Sequence, residues 1–270
     1  MDEIKTSDIS AENRAEILNI IENFRLMDDT FMSKVFEDKA CAELLLMVIL
    51  NRDDLTVVKV VSQFELKNLQ GRSARLDIYA VDEHGKKYDV EVQRSDDGAA
   101  PRRARYNSSL LDANLLNPGD KFDELPESYI IFITEHDILK GGKPLYTVNR
   151  TISELDHAIF TDGSHIIYVN GEIRNGTALG ELMQDFFCKD PREMHYKVLS
   201  DRAGYFKKDK EGVDTMCKLV EDYGNKKTYE QAVRFATKLW NKGERDLQQI
   251  ADLTDLPLDE VKKLFEGKTA

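Results

Sequence analysis

Residues 75–93 read RLDIYAVDEHGKKYDVEVQ, and the fold turns on how this stretch is paired. Residues 75–82 and 86–93 are rich in β-branched and aromatic side chains, so each reads as a strand. Between them, Asp82-Glu83-His84-Gly85 is turn chemistry. Asp suits the first position of a type I turn, and Gly85 accepts the left-handed conformation that follows. A three-residue loop pairs Asp82 with Lys86 and, counting back, sets Asp77 opposite Glu91. A two-residue loop would pair Asp77 with Val92 and send Asp77 and Glu91 to opposite faces, because side chains alternate along a strand. Gly85 favours the first register.

In that register two carboxylates share one face, since directly opposed residues have β-carbons about 4.5–5.5 Å apart. Gln93 lies on the same face as Glu91, two residues on. Like charges so placed destabilise a sheet, and a cation between them relieves the cost. Hard divalent ions such as Mg²⁺ take carboxylate oxygens and keep several waters. Two readings stand at this point: a metal site on Asp77 and Glu91, or a solvated hairpin face with the carboxylates apart in water.

The 270 residues are 41% hydrophobic and 33% charged, enough for a sizeable core in one or two domains. The net charge of −12, spread without a long acidic run, excludes a globally basic nucleic-acid binder. An anionic partner has to meet a local basic patch or a metal. Cys41, Cys188 and Cys217 are odd in number, widely spaced and outside any CxxC pattern, which argues against a disulfide framework and against a zinc site. The opening MDEIKTSDIS has neither the basic nor the apolar segment of a signal peptide. The longest apolar run, residues 44–50, is too short to span a bilayer. The expectation is a soluble, cytoplasmic protein with no membrane partner.

Along the chain, Ser10 is the expected N-cap of a first helix, with Ile17, Ile20, Ile21 and Phe24 as its buried stripe and Asp28-Asp29 closing it. Residues 31–50 read as one second helix whose end, AELLLMVIL, is apolar nearly all round. Glu43 within it is either a solvated residue at the helix edge or a carboxylate reaching the sheet face that carries Asp77. Residues 56–66 form a strand, residues 68–73 a loop, and the hairpin follows. Residues 95–101 are a polar, Gly-containing loop, and Pro101 is placed to open a helix over residues 102–116.

That helix begins RRARYNSS. Arg102, Arg105 and Tyr106 are neighbours at i, i+3 and i+4, and with Arg103 they make the densest basic cluster of an acidic chain. Cations at a helix N-terminus oppose the macrodipole, so the placement is locally unfavourable and points to contact with phosphate; a solvated helix start is the alternative. Residues 128–134 (SYIIFIT) read as a central strand covered on both faces, and residues 146–150 and 165–170 as further strands. Strands alternating with helices argue for an α/β core.

From residue 177 the pattern is helical: residues 178–187, 192–201, 213–223 and 228–242, with Lys207-Lys208-Asp209-Lys210 as a solvated loop. Residues 247–265 read as two short helices around Thr254-Asp255-Leu256-Pro257, a helix-turn-helix in outline. The acidic start Leu258-Asp259-Glu260 suits packing or homodimer formation better than approach to phosphates. The expected organisation is a helical lead over residues 1–30, an α/β core over 31–180 and a helical C-terminal region over 181–270. No Gly-rich phosphate loop, nucleophile elbow or HExxH motif is present in the sequence.

Asp77, then Glu91-Val92-Gln93 on the next strand, then an Arg-rich helix, resembles the core of the PD-(D/E)XK nucleases. The resemblance is closer to the bacterial Rpn-type (recombination-promoting nuclease) branch, usually called PD-(D/E)XK nuclease family transposases. The likeness rests on RLDIYAVDEHGKKYDVEVQ, PRRARYNSSLLD, LPESYIIFITEHDIL and DGSHIIYVNGE, and covers roughly residues 25–220. It implies a restriction-endonuclease-like mixed sheet flanked by helices, and Mg²⁺- or Mn²⁺-dependent hydrolysis of phosphodiester bonds in DNA. It implies that Asp77 and Glu91 bind the metal, with the Val92 carbonyl as a third ligand. Gln93 stands where the broader superfamily has lysine; its amide can orient water or a phosphate oxygen but supplies no charge. The superfamily also places an acid on the first core helix, and Glu43 is the candidate by position. In this scheme Arg102, Arg105 and Tyr106 contact DNA phosphates. The chain lacks the spaced acidic triad of integrase-like transposases, so "transposase" is here a family label.

Overall fold

The computed structural model describes residues 11–68 and 71–266, and in it the hairpin takes the register that Gly85 favours. Strands β1 (Val57–Leu66), β2 (Ala74–Asp82) and β3 (Lys87–Gln93) are antiparallel neighbours. Ile78 pairs with Val90 and Val81 with Lys87, and Asp82 N–H donates to the Lys86 carbonyl at 3.2 Å. The turn is fixed from within. Gly85 sits at φ +80°, its N–H donates to the Asp82 carbonyl, and Asp82 Oδ1 accepts from His84 N–H at 3.0 Å and Lys86 N–H at 2.9 Å. Tyr88 donates its hydroxyl to the other Asp82 oxygen at 2.8 Å, so the buried aspartate has partners on both sides.

Three more strands, β4 (Ser128–Thr134), β5 (Leu145–Val148) and β8 (Ser164–Asn170), complete a six-stranded mixed sheet in the order β1-β2-β3-β4-β8-β5. Strand β4 runs parallel to β3. A separate two-stranded ribbon, β6 (Thr151–Ile152) and β7 (Ala158–Ile159), lies between β5 and β8 in the chain and has no counterpart in the sequence reading. Strand β8 runs parallel to β4 and antiparallel to β5. Strand β4 is the central strand its continuous apolar run predicts, with six of its seven residues buried.

The chain divides into two units, Asn19–Val213 and Met1–Leu18 with Asp214–Ala270. The two helices after the sheet fall within the sheet-bearing unit, where they pack back onto the first helices. Within the sheet-bearing unit, α3 (Lys39–Leu50) packs on β1 and also meets α5 (Ala178–Phe187) and α6 (Lys197–Lys208). Helix α4 (Pro101–Ala113) lies against β4 and β8, where Ala104, Leu110 and Leu111 join Tyr79, Ile130, Phe132 and Tyr168 in one apolar cluster. The chain is thus α/β, with helices against the sheet, and the α/β expectation holds.

Several expected elements are corrected. Residues 31–50 are two helices, α2 (Asp29–Val35) and α3, because Asp38 accepts from Cys41 N–H at 3.1 Å and so starts a new helix. In α1 (Ala11–Asn23), Ile17 and Ile21 are buried but Ile20 is exposed; Ser10 lies outside the described residues. Residues 95–101 contain a 3₁₀ turn, Asp96–Ala99, rather than an irregular loop. The helix expected at 192–201 is displaced to Lys197–Lys208 by the 3₁₀ turn Pro191–Glu193. Lys207 lies in the last turn of that helix and is not simply solvated: its ammonium donates to the carbonyls of Phe24 and Lys189 at 2.5 Å and of Glu22 at 3.1 Å.

The helices expected at 213–223 and 228–242 are one, α7 (Lys210–Asn241), since Gly224 weakens a helix by only about 1 kcal/mol and does not break it. In the second unit, α8 (Leu247–Thr254) and α9 (Leu258–Phe265) form the expected pair of short helices. Trp240, Ile250, Ala251, Val261 and Phe265 are their core, with the Trp240 and Phe265 rings stacked 4.4 Å apart. Among the described residues, no helix is long and apolar enough to cross a membrane.

Candidate active site

Parallel strands β3, β4 and β8 end side by side at Gln93, Thr134 and Asn170. In mixed α/β sheets this end is where ligands bind. Strand β2 runs the other way, so its early residue Asp77 arrives at the same end. The β2–β3 ladder stops at Ile78 and Val90. Beyond it the Asp77 carboxylate stands in for a strand partner: Oδ2 accepts from Val92 N–H at 3.1 Å. Gln63, at φ +54° in β1, brings its amide to 3.5 Å from the other Asp77 oxygen.

Glu91 is fully buried, and helix α4 covers it. Arg103 Nη2 lies 2.5 Å from Glu91 Oε2, and Asn107 Nδ2 lies 3.4 Å from Oε1. Gln93 donates its amide to the same Oε2 at 3.2 Å. One turn separates Arg103 from Asn107, so a single helix face presents both to the strand. Asn107 also reaches Asp89, at 3.3 Å. Asp89 sits two residues before Glu91, is fully buried, and leaves its Oδ1 without a hydrogen-bond partner.

Burial outweighs the Arg103 charge here. It pushes the Asp77 carboxyl up to about 6, and burial with the neighbouring Asp77 charge pushes Glu91 up to about 8. Asp89 is driven well above the ordinary carboxylate range by burial and by Glu91. Asp29, the first residue of α2, adds to the upward pressure on both Asp77 and Glu91. Its neighbour Asp28 ties that helix start to the end of β3, pairing with Arg94 at 2.8 Å.

The site therefore gathers more acidic groups than its nearby guanidinium groups offset, and a cation that replaces their protons fits it. Among the described residues no group of three or more His, Cys, Asp or Glu is gathered as a metal cluster. The available donors are two carboxylates, to be completed by backbone oxygen and water. That is the donor set of Mg²⁺, which keeps several waters and takes one or two carboxylates.

Of the residues singled out from sequence, Asp77, Glu91, Val92 and Gln93 come together. Glu43 does not: its carboxylate accepts from Val57 N–H at 2.8 Å, and Val57 pairs with Asp82, at the opposite end of β2 from Asp77. The helix acid whose charge is felt at the site is Asp29, whose position at a helix start looked like a stop signal in the sequence. Arg102 and Arg105 are exposed on the outer side of α4. Tyr106 is not free to meet phosphate, because its hydroxyl donates to the Arg72 carbonyl and accepts from Asn68 at 3.1 Å. Arg103 and Asn107 were missed as site residues. The available signal was their i, i+4 spacing on the stripe that also carries Ala104 and Leu111.

A family model described as PD-(D/E)XK nuclease family transposase matches residues 32–175, just over half of the chain. The match spans Asp77, Glu91, Gln93, Arg103 and Asn107 and begins just after Asp29. No curated protein and no solved structure matches.

Proposed function

The chain belongs to the PD-(D/E)XK nuclease family transposases, and from that premise we propose that it is a metal-dependent endonuclease of DNA. The observation that carries the reading is the joining of Asp77 and Glu91 at the open end of the sheet, where the Asp77 carboxylate accepts from Val92 N–H on the strand that carries Glu91. Asp77, Glu91 and the Val92 carbonyl would hold Mg²⁺ or Mn²⁺. When bound, such an ion acidifies a water and offsets charge on the phosphate oxygens.

The chain's own residues divide the remaining work. Burial and α4 hold Glu91 in one place, so its carboxylate needs no reorganisation when a cation arrives. Gln93, half-buried beside Glu91, holds the attacking water or a phosphate oxygen by its amide. Arg102 and Arg105 offer charge to flanking phosphates, a local patch on a chain of net charge −12. A role in recombination, mobile elements or phage defence follows from the family rather than from the site.

The test is plasmid cleavage in Mg²⁺ and in Mn²⁺. Asp77→Ala and Glu91→Ala are expected to abolish cutting while keeping the wild-type far-ultraviolet spectrum. Undiminished cutting by both variants would sink the proposal. One observation favours a second reading, a nuclease-like fold retained as a DNA- or protein-binding module: Glu91 already has a cationic partner in Arg103. That reading expects no divalent-ion binding by the pure protein, yet salt-sensitive binding of DNA.

A further inference from the structure

Arg103 makes three kinds of contact at once. Its Nη2 meets Glu91 Oε2 at 2.5 Å, and its Nη1 donates to the Gly98 carbonyl at 2.9 Å and to Gln93 Oε1 at 3.4 Å. The Glu91 side chain is 0% exposed and the Arg103 side chain 38% exposed. The pair therefore joins a buried carboxyl group to a cation with one side in water. A guanidinium cannot be deprotonated, so it can leave Glu91 only by moving. Glu91 Oε2 already accepts from Arg103 and, at 3.2 Å, from Gln93, so that movement is what opens a place on it for a second cation. Its other oxygen is engaged by Asn107.

The surroundings fit such a movement. The Gly98 carbonyl holds the guanidinium beside Gln93 whether or not Nη2 stays on Glu91. Gly98 has no side chain in the way, since a Cβ there would come within 2.0 Å of Gln93 Oε1. The residue whose neutral amide takes the place of a lysine is thus the one against which the arginine rests.

We propose that Arg103 is a placeholder cation for the site. It holds Glu91 in position while no metal is bound and yields Oε2 to an incoming divalent ion. It then stands beside Gln93 as the positive charge offered to a bound phosphodiester. It positions Glu91 in the first state and contacts phosphate in the second. The inference rests on the proposed metal-dependent function. It adds that metal and arginine compete for one oxygen, so the apparent metal affinity is reduced by the fraction of protein in which Arg103 occupies it.

The experiment is calorimetric titration of the full chain with Mn²⁺ alone, without DNA, for wild type, Arg103→Gln and Arg103→Lys. Arg103→Gln is expected to bind Mn²⁺ roughly tenfold more tightly than wild type, the low end of what one neighbouring charge does to a carboxylate equilibrium. Arg103→Lys keeps the charge without the fork, so it is expected between the two and guards against a Gln variant that fails to fold. In the plasmid assay Arg103→Gln is expected to cut less despite binding Mn²⁺ better. A purely structural arginine would lower both. Mn²⁺ affinity in the two variants equal to or weaker than wild type overturns the inference and leaves the nuclease reading standing. Absence of Mn²⁺ binding in wild type and variants alike overturns both.

Discussion

The Asp77 carboxylate accepts from Val92 N–H at 3.1 Å, just past the point where pairing between the two strands ends. A side chain has replaced a main-chain partner, and its charge is thereby drawn into the sheet. Both Asp77 and Glu91 are held above their unfolded ionisation range by burial, to about 6 and about 8. The folded metal-free protein therefore keeps protons that the unfolded chain has released. Their contribution to stability is full below about pH 4 and is lost as pH rises through about 8. Urea midpoints in a chelator are expected to fall between about pH 5 and about pH 8.5, and to fall less in Asp77→Asn and Glu91→Gln. A wild-type midpoint that climbs over this window contradicts the burial described here.

Asp29 and Glu43 separate a charge at the site from a charge in the scaffold. Asp29 acts on both site carboxyls, so Asp29→Asn is expected to weaken Mn²⁺ binding and to reduce plasmid cutting. Glu43→Ala leaves the Val57 N–H unpaired and is expected to cost about 1–2 kcal/mol in urea unfolding, with cutting per folded molecule unchanged. The reverse pattern would return Glu43 to the site.

A lysine at position 93 would meet Arg103 as a like charge. Gln93→Lys is therefore expected to weaken Mn²⁺ binding in the wild-type background and not to raise cutting. Combined with Arg103→Gln it restores one cation, and the affinity is expected to return towards wild type. Additive effects in this double-mutant cycle would show that the two positions do not share a task.

Gly98→Ala is a way to move Gln93 without replacing it. The added carbon would lie 2.0 Å from Gln93 Oε1, and the amide is the flexible partner that has to give way. Plasmid cutting is expected to drop as far as in Gln93→Ala, while the urea midpoint shifts by less than about 1 kcal/mol in equivalent stability. Full activity in Gly98→Ala would show that the Gln93 amide does not need its present position.

The hairpin and its register were legible because a turn of defined chemistry fixes them. Asp82 and Gly85 leave little choice, and Asp77 and Glu91 follow by counting. Strand β4 was legible because a buried parallel strand is apolar throughout. Helix boundaries were less so: the break at Asp38 and the uninterrupted α7 turn on a cap and on a tolerated glycine, features worth about 1 kcal/mol that neighbouring packing overrides. Arg103 was grouped with Arg102 and Arg105 because adjacent basic residues look alike in a sequence. Only the rotation of α4 against β3 separates the inward guanidinium from the outward ones. Glu43 failed for a similar reason. The distance between it and Asp77 depends on which end of the sheet a preceding helix meets, and local pattern carries no record of that.

The chain's single tryptophan, Trp240, lies with its ring plane 3° from that of Phe265, and Arg245 is set 4.4 Å from the ring centroid. Intrinsic fluorescence excited at the indole band therefore reports from the helical C-terminal unit, while the sheet-bearing unit is dark at that wavelength. Metal and DNA titrations of the Asp77–Glu91 site need a different label. An emission change on adding either would instead be a direct optical record that binding at the sheet is felt among the last three helices.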